Sequence, residues 1–223
     1  MWVLGGWAAL SIAFGLLALV FFQKFYPDAP KADYPPAQNL ATAQQQDLDY
    51  FRNYFTLNQA YAPEALAQAK SLHGEALAKA GKYSPAAFTL AIARMVALSD
   101  NGHSQVSKRY LSTTNNRIPC RLYRFDDGYY VIRARPMCAE LLGAKVLSID
   151  GMPINTVIDR LYPYTLGPRN HYDQFVAPFF LESPDLLHAA GVAARSDQLI
   201  LRMQMRDGSE RDMAMIADAP DAG

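Results

Sequence analysis

The apolar and polar positions of the chain fall into three successive patterns. Residues 2–22 are apolar almost without interruption: no charged side chain occurs there, and only Ser11, Gly5, Gly6 and Gly15 break the run. As a helix rising ~1.5 Å per residue, the segment reaches ~31 Å, close to the thickness of a bilayer hydrocarbon core. Trp2 and Trp7 at one end, and Phe25 and Tyr26 at the other, suit interfacial anchoring. The pattern predicts a transmembrane anchor or signal-like segment over residues 1–26. It reads as uncleaved, because no basic residue precedes Lys24 and no small-x-small site ends the run. Pro27, Pro30, Pro35 and Pro36 predict a stiff tether over residues 27–46.

Helical periodicity follows over residues 47–103. Leu48, Phe51, Tyr54 and Phe55 form one stripe after Asp47. Pro63 suits the first position of a second helix carrying Leu66, Ala69, Leu72, Ala76 and Leu77, which Gly81 stops. Ser84-Pro85 opens a third, bearing Phe88, Ile92, Met95 and Val96, that ends at Asp100-Asn101-Gly102. The helices show no fixed-period self-similarity, which argues against a tetratricopeptide-type array. From Ile118 strand patterns dominate. Residues 118–125 and 129–134 flank Asp126-Asp127-Gly128, residues 145–149 and 152–154 flank Asp150-Gly151, and residues 198–206 and 210–216 flank Asp207-Gly208. Between the last two hairpins, Asn155 caps a short helix, and residues 170–190 read as helix broken near Pro178 and Pro184. The class is α+β: helices first, then a mainly antiparallel β unit with short helices over residues 104–216, and a tail at 217–223.

Composition adds exclusions. With 51% hydrophobic residues, 19% charged, and 21 Lys+Arg against 21 Asp+Glu, the 223-residue chain is neither a basic nucleic-acid binder nor disordered. No nucleic-acid partner is expected. The nucleophile-elbow, phosphate-loop, zinc-helix and dinucleotide motifs are missing, and the four histidines lack ligand spacing, so neither metal nor cofactor is expected. His73 and His188 read as ordinary helix histidines. His103 follows a glycine corner that would project its imidazole into a cleft, where it suits a general base; the bland alternative is a histidine that complements the helix C-terminus. Cys120 and Cys138 stand beside strands, either as a disulfide or as two buried thiols.

Four ordered segments carry a resemblance. They are Leu98-Ser99-Asp100-Asn101-Gly102-His103-Ser104; Ile118-Pro119 with Phe125, Asp126, Asp127, Gly128 and Tyr130-Val131; the run Leu-Gly-Ala-Lys-Val-Leu-Ser-Ile-Asp-Gly-Met-Pro-Ile at 142–154; and Ser183-Pro184-Asp185-Leu186-Leu187 leading to Gly191. Together they resemble the C-terminal-processing, or tail-specific, serine peptidases over roughly two-thirds of the chain, on the scale of one domain with its lead-in. The resemblance implies that 142–154 is a PDZ-type core. It further implies that His103 serves as the base for a Ser whose domain, with its partner Lys, has no counterpart in residues 1–223. A PDZ-like unit implies capture of an extended polypeptide, or its C-terminal carboxylate, by strand addition. Arg121, Arg124, Arg133 and Arg135 lie on or beside those strands; Arg133 and Arg135 are the candidate substrate-binding pair, against the alternative of an exposed polar face. The expectation is the N-terminal substrate-recognition portion of a membrane-anchored serine peptidase-like protein that processes polypeptides in the periplasm or outside the cell. Residues 2–22 would sit in the lipid bilayer, and residues 1–223 alone would be inactive. The alternative is a non-catalytic, membrane-tethered PDZ-like adaptor.

Overall fold

The computed structural model describes residues 2–25, 27–102, 104, 106–165, 167–173 and 177–220, leaving aside the side chains of residues 2–11, 25, 108, 109 and 112. Six helices lead the chain: α1 (Trp2–Phe25), α2 (Leu40–Phe51), α3 (Tyr54–Leu57), α4 (Pro63–Ala78), α5 (Pro85–Ala97) and α6 (Lys108–Thr114). Strands β1 (Cys120–Phe125), β2 (Gly128–Ala134), β3 (Lys145–Ile149) and β4 (Met152–Pro153) follow, then α7 (Ile154–Leu161), α8 (Arg169–His171), α9 (Ala177–Leu181) and α10 (Pro184–Ala189), and finally β5 (Gln198–Gln204) and β6 (Glu210–Ile216). The chain is α+β with an antiparallel sheet.

The N-terminal expectation is corrected. Among the described residues no helix is long and apolar enough to cross a membrane. A crossing needs about 20 consecutive apolar residues. The side chains of residues 2–11 lie outside the described residues. The transmembrane helix over residues 2–22, and the membrane-anchored location expected with it, are therefore withdrawn. The stretch after it runs into a helix. Asn39 accepts a hydrogen bond from the Thr42 N–H and starts α2 at Leu40, inside the expected 27–46 linker. The proline-rich strand lies along that helix, its Pro30 carbonyl accepting from the Tyr50 hydroxyl and its Pro35 carbonyl from Gln46.

The sheet order is β1-β2-β3-β5-β6, with the short β4 pairing β3 off this path; every pairing is antiparallel. Residues Asp150 (φ 46°) and Gly151 (φ 78°) form the two-residue connection between β3 and β4. Both angles are left-handed, as a type I′ hairpin requires. Beyond the outer strands, Arg117 and Asp218 exchange two backbone hydrogen bonds (3.2 and 2.8 Å), joining the approach to β1 with the exit from β6. The larger core lies between the sheet's inner face (Val131, Val146, Leu199, Leu201, Met203) and α7, α9 and α10 (Leu161, Phe180, Leu186). A smaller one packs Leu48, Phe55, Ala69, Ala76 and Met95 in the helical region. Helix α5 serves both, giving Ala86 and Leu90 to the first and Met95 to the second, so the helical region and the sheet share one packed element.

Candidate functional site

Two places collect the chemistry-bearing residues. The first is the corner after α5. The Ser99 hydroxyl donates to the Val96 carbonyl, and Asp100 turns the chain with φ 46°. The Asp100 carboxylate accepts from the Gly167 N–H at 3.0 Å, and Gly102 packs directly on Gly167. A cavity of about 510 Å³ opens here, lined by Ser99, Asp100, Asn101, Gly102, Pro168 and His171. His103, the candidate base, lies outside the described residues. His171 was not singled out by the sequence, yet it borders the same cavity. The corner depends on a missing Cβ: one built at Gly167 (φ +81°) would meet the Gly102 Cα at 3.0 Å and its N at 3.2 Å. Gly167→Ala is expected to destabilise the protein by about 1–3 kcal/mol in chemical denaturation, through left-handed strain plus a backbone clash; a change below about 0.5 kcal/mol would contradict this packing.

The second place is an arginine cleft at the seam between β1 and the exit of β6. Arg117, Arg121, Arg133 and Arg135 line about 240 Å³ together with Asp218 and Cys120. The sequence pair Arg133 and Arg135 is thus brought together, whereas Arg124 lies elsewhere, over the Tyr129 ring. A β-bulge explains the aim of Arg133. Arg121 pairs with Arg133 but Leu122 pairs with Val131, leaving Ile132 as the extra residue. Without it, Arg133 would share the buried face of Tyr129 and Val131; with it, Arg133 faces outward beside Arg121.

Like charges directly opposite one another are unfavourable, and here a buried carboxylate compensates. Glu182, only 2% exposed, accepts from the Leu122 N–H (2.7 Å), pairs with Arg121 (3.1 Å), and pairs also with Arg117. Arg135 pairs with Asp218 at 3.3 Å. Among the described residues the Arg133 side chain has no hydrogen-bond or ion-pair partner. Four guanidinium groups thus meet two carboxylates, and the cleft keeps an excess of positive charge. Sequence reading missed Arg117, Glu182 and Asp218. One signal was available for Glu182: it is the single charge in an otherwise apolar Ala177–Leu181 helix and its exit, and a lone acid in such a run needs a buried partner.

Cys120 and Cys138 are both buried and both carry free thiols, so the candidate bond between them is not made. The Cys138 thiol donates to the Pro119 carbonyl at 3.2 Å. Burial, with Cys138 nearby, pushes the Cys120 thiol up to about 12, which keeps it protonated and unreactive near neutral pH. Two thiols should therefore become titratable with Ellman's reagent on denaturation alone, after slow native labelling; a requirement for reductant would contradict the buried-thiol state.

Compared with known proteins, this architecture has precedents among solved structures. The chain is similar to mature CPAF, a chlamydial serine protease, in complex with lactacystin: TM-score 0.52, 18% identity, 80% of this chain and 35% of that chain. It also matches a CPAF mutant (TM-score 0.49, 18% identity, 80% and 34%) and mature CPAF (TM-score 0.47, 17% identity, 82% and 36%). No protein-family model and no curated protein matches. The chain spans about a third of the length of these solved structures. What it shares with the lactacystin-bound CPAF is its fold over that stretch.

Proposed function

We propose that the chain is the substrate-recognition part of a serine peptidase-like protein, and that it holds a polypeptide by a carboxylate, foremost the C-terminal one, in the arginine cleft. In this reading the β-rich half, residues 104–216, acts as a PDZ-like unit. His103 takes the proton from a serine supplied from outside residues 1–223, which then attacks the peptide carbonyl. The observation that carries the proposal is Arg133, an unpartnered guanidinium beside three others, turned outward by a bulge. A carboxylate accepts a bidentate pair of charge-assisted hydrogen bonds from such a group. The protease-related fold supports the setting. The edge of β1 does not offer every backbone group to an added strand, since Glu182 already occupies the Leu122 N–H; the carboxylate therefore contributes more of the grip than strand addition along β1.

The test is calorimetric titration of the full chain with one decapeptide in two forms, free acid and C-terminal amide. The free acid should bind about tenfold tighter or better, since charge-assisted hydrogen bonds contribute about 1.5–3 kcal/mol. Arg133→Gln should reduce that preference to within about threefold. Equal binding of acid and amide would overturn the proposal.

A further inference from the structure

We propose that a groove in the helical region takes the lysine or arginine side chain of a bound polypeptide, between aromatic faces and the carboxylate of Asp47. The cavity measures about 480 Å³ and is lined by Asp47, Tyr50, Phe51, Tyr54, Phe88 and Tyr110, among others. Its wall follows from helix geometry. Asp47, Tyr50, Phe51 and Tyr54 stand at i, i+3, i+4 and i+7, and the joint between α2 and α3 keeps helical dihedrals at Arg52 and Asn53, so all four share one face. The stripe therefore splits in two. Leu48 and Phe55 enter the small core, while Phe51 and Tyr54, stacked at 5.3 Å with 18° between planes, pack against that core and stay half-buried on its groove side. Tyr110, 48% exposed, closes the far side from α6.

Aromatic faces alone would suit any apolar group. Asp47 selects among occupants. Its neighbour on the helix, Asp49, is taken by Arg52 and Tyr34, whereas among the described residues Asp47 has no hydrogen-bond or ion-pair partner. Asp47 is exposed at the rim of the groove, where partial desolvation by the adjoining surface holds its carboxyl above the usual range. An apolar occupant would desolvate it further with no compensation. A cationic side chain supplies the missing charge and lays its head or stem over ring faces, the geometry of cation–π recognition. The groove and the arginine cleft have opposite charge preferences, so the inference does not depend on the carboxylate proposal.

The probe is a pentapeptide, Gly-Gly-Lys-Gly-Gly, acetylated and amidated, against its norleucine counterpart of nearly equal stem length and no charge. Both are titrated into the full chain and followed by NMR. The lysine peptide is expected to bind about tenfold tighter, from the Asp47 carboxylate and the ring faces together, with shifts at Asp47 and Phe51, and Asp47→Asn should cut that preference to about threefold, the share the rings supply. Equal or tighter binding of norleucine, no binding of either peptide, or an unchanged lysine preference in Asp47→Asn would each overturn the assignment. The blocked termini carry no carboxylate, so such a failure leaves the arginine cleft reading standing.

Discussion

Replacing Glu182 by alanine is expected to cost about 3–5 kcal/mol of stability, the range for removing one partner of a buried ion pair. Glu182 is 2% exposed, and its carboxylate is shared by the Leu122 N–H, Arg121 and Arg117. Arg121 is half-exposed and can return to water, but Arg117 is 17% exposed and the Leu122 N–H is buried. Alanine would therefore leave a largely desolvated cation and a backbone donor with no acceptor. The Glu182 carbonyl, which accepts from the Ile118 N–H at 2.8 Å, survives the substitution, so the path of the backbone is kept. For a chain of this size the loss corresponds to a fall of roughly 10 °C in melting temperature. Glu182→Gln retains an oxygen for the Leu122 N–H and should lose about half as much. A melting temperature for Glu182→Ala within 2 °C of the parent, about 1 kcal/mol or less, would show that the carboxylate does not hold the seam.

Asp150→Ala is the second large effect, at about 3 kcal/mol, from two hydrogen bonds to a charged acceptor and a lost residue tolerant of left-handed φ. The Asp150 carboxylate accepts from the Ala194 N–H and the Ile200 N–H, each at 2.7 Å, while its own N–H donates to the Ile200 carbonyl at 2.8 Å. This one side chain fixes the β3–β4 turn to the start of β5, two segments 50 residues apart in the chain. Asp150→Asn keeps the left-handed tolerance and one acceptor, but turns its amide N–H group toward a backbone donor, so an intermediate loss is expected. Chemical denaturation of the three proteins should rank Asp150, then Asn, then Ala. Equal midpoints would contradict the role given to the carboxylate.

The course of the fold was legible where local chemistry decides it. Asp150-Gly151 in a sequence of alternating residues specifies a type I′ hairpin, and that hairpin is present. Ser84-Pro85 specifies a helix start, and the Ser84 hydroxyl does accept from the Ala87 N–H. Legibility failed where distant segments decide. Arg133 and Arg135 can be placed on and just beside one strand from the sequence, but their meeting with Arg117, Asp218 and Glu182 depends on the sheet bringing residues 117 and 218 together. The bulge at Ile132 has no turn residue to announce it. The N-terminal run is illegible for another reason: apolar content over residues 2–22 does not fix the surroundings of that helix, and among the described residues no helix is long and apolar enough to cross a membrane and no side chain of α1 joins either core.

The arginine cleft is proposed to hold carboxylates. NMR of the arginine side-chain Nε–Hε groups during titration of the full chain with the free-acid decapeptide tests it most directly. The account predicts saturable shifts at Arg117, Arg121, Arg133 and Arg135, with Arg195 and Arg202, already paired to surface carboxylates, left unmoved. Shifts confined to those surface arginines, or none at all while the peptide binds, would contradict it.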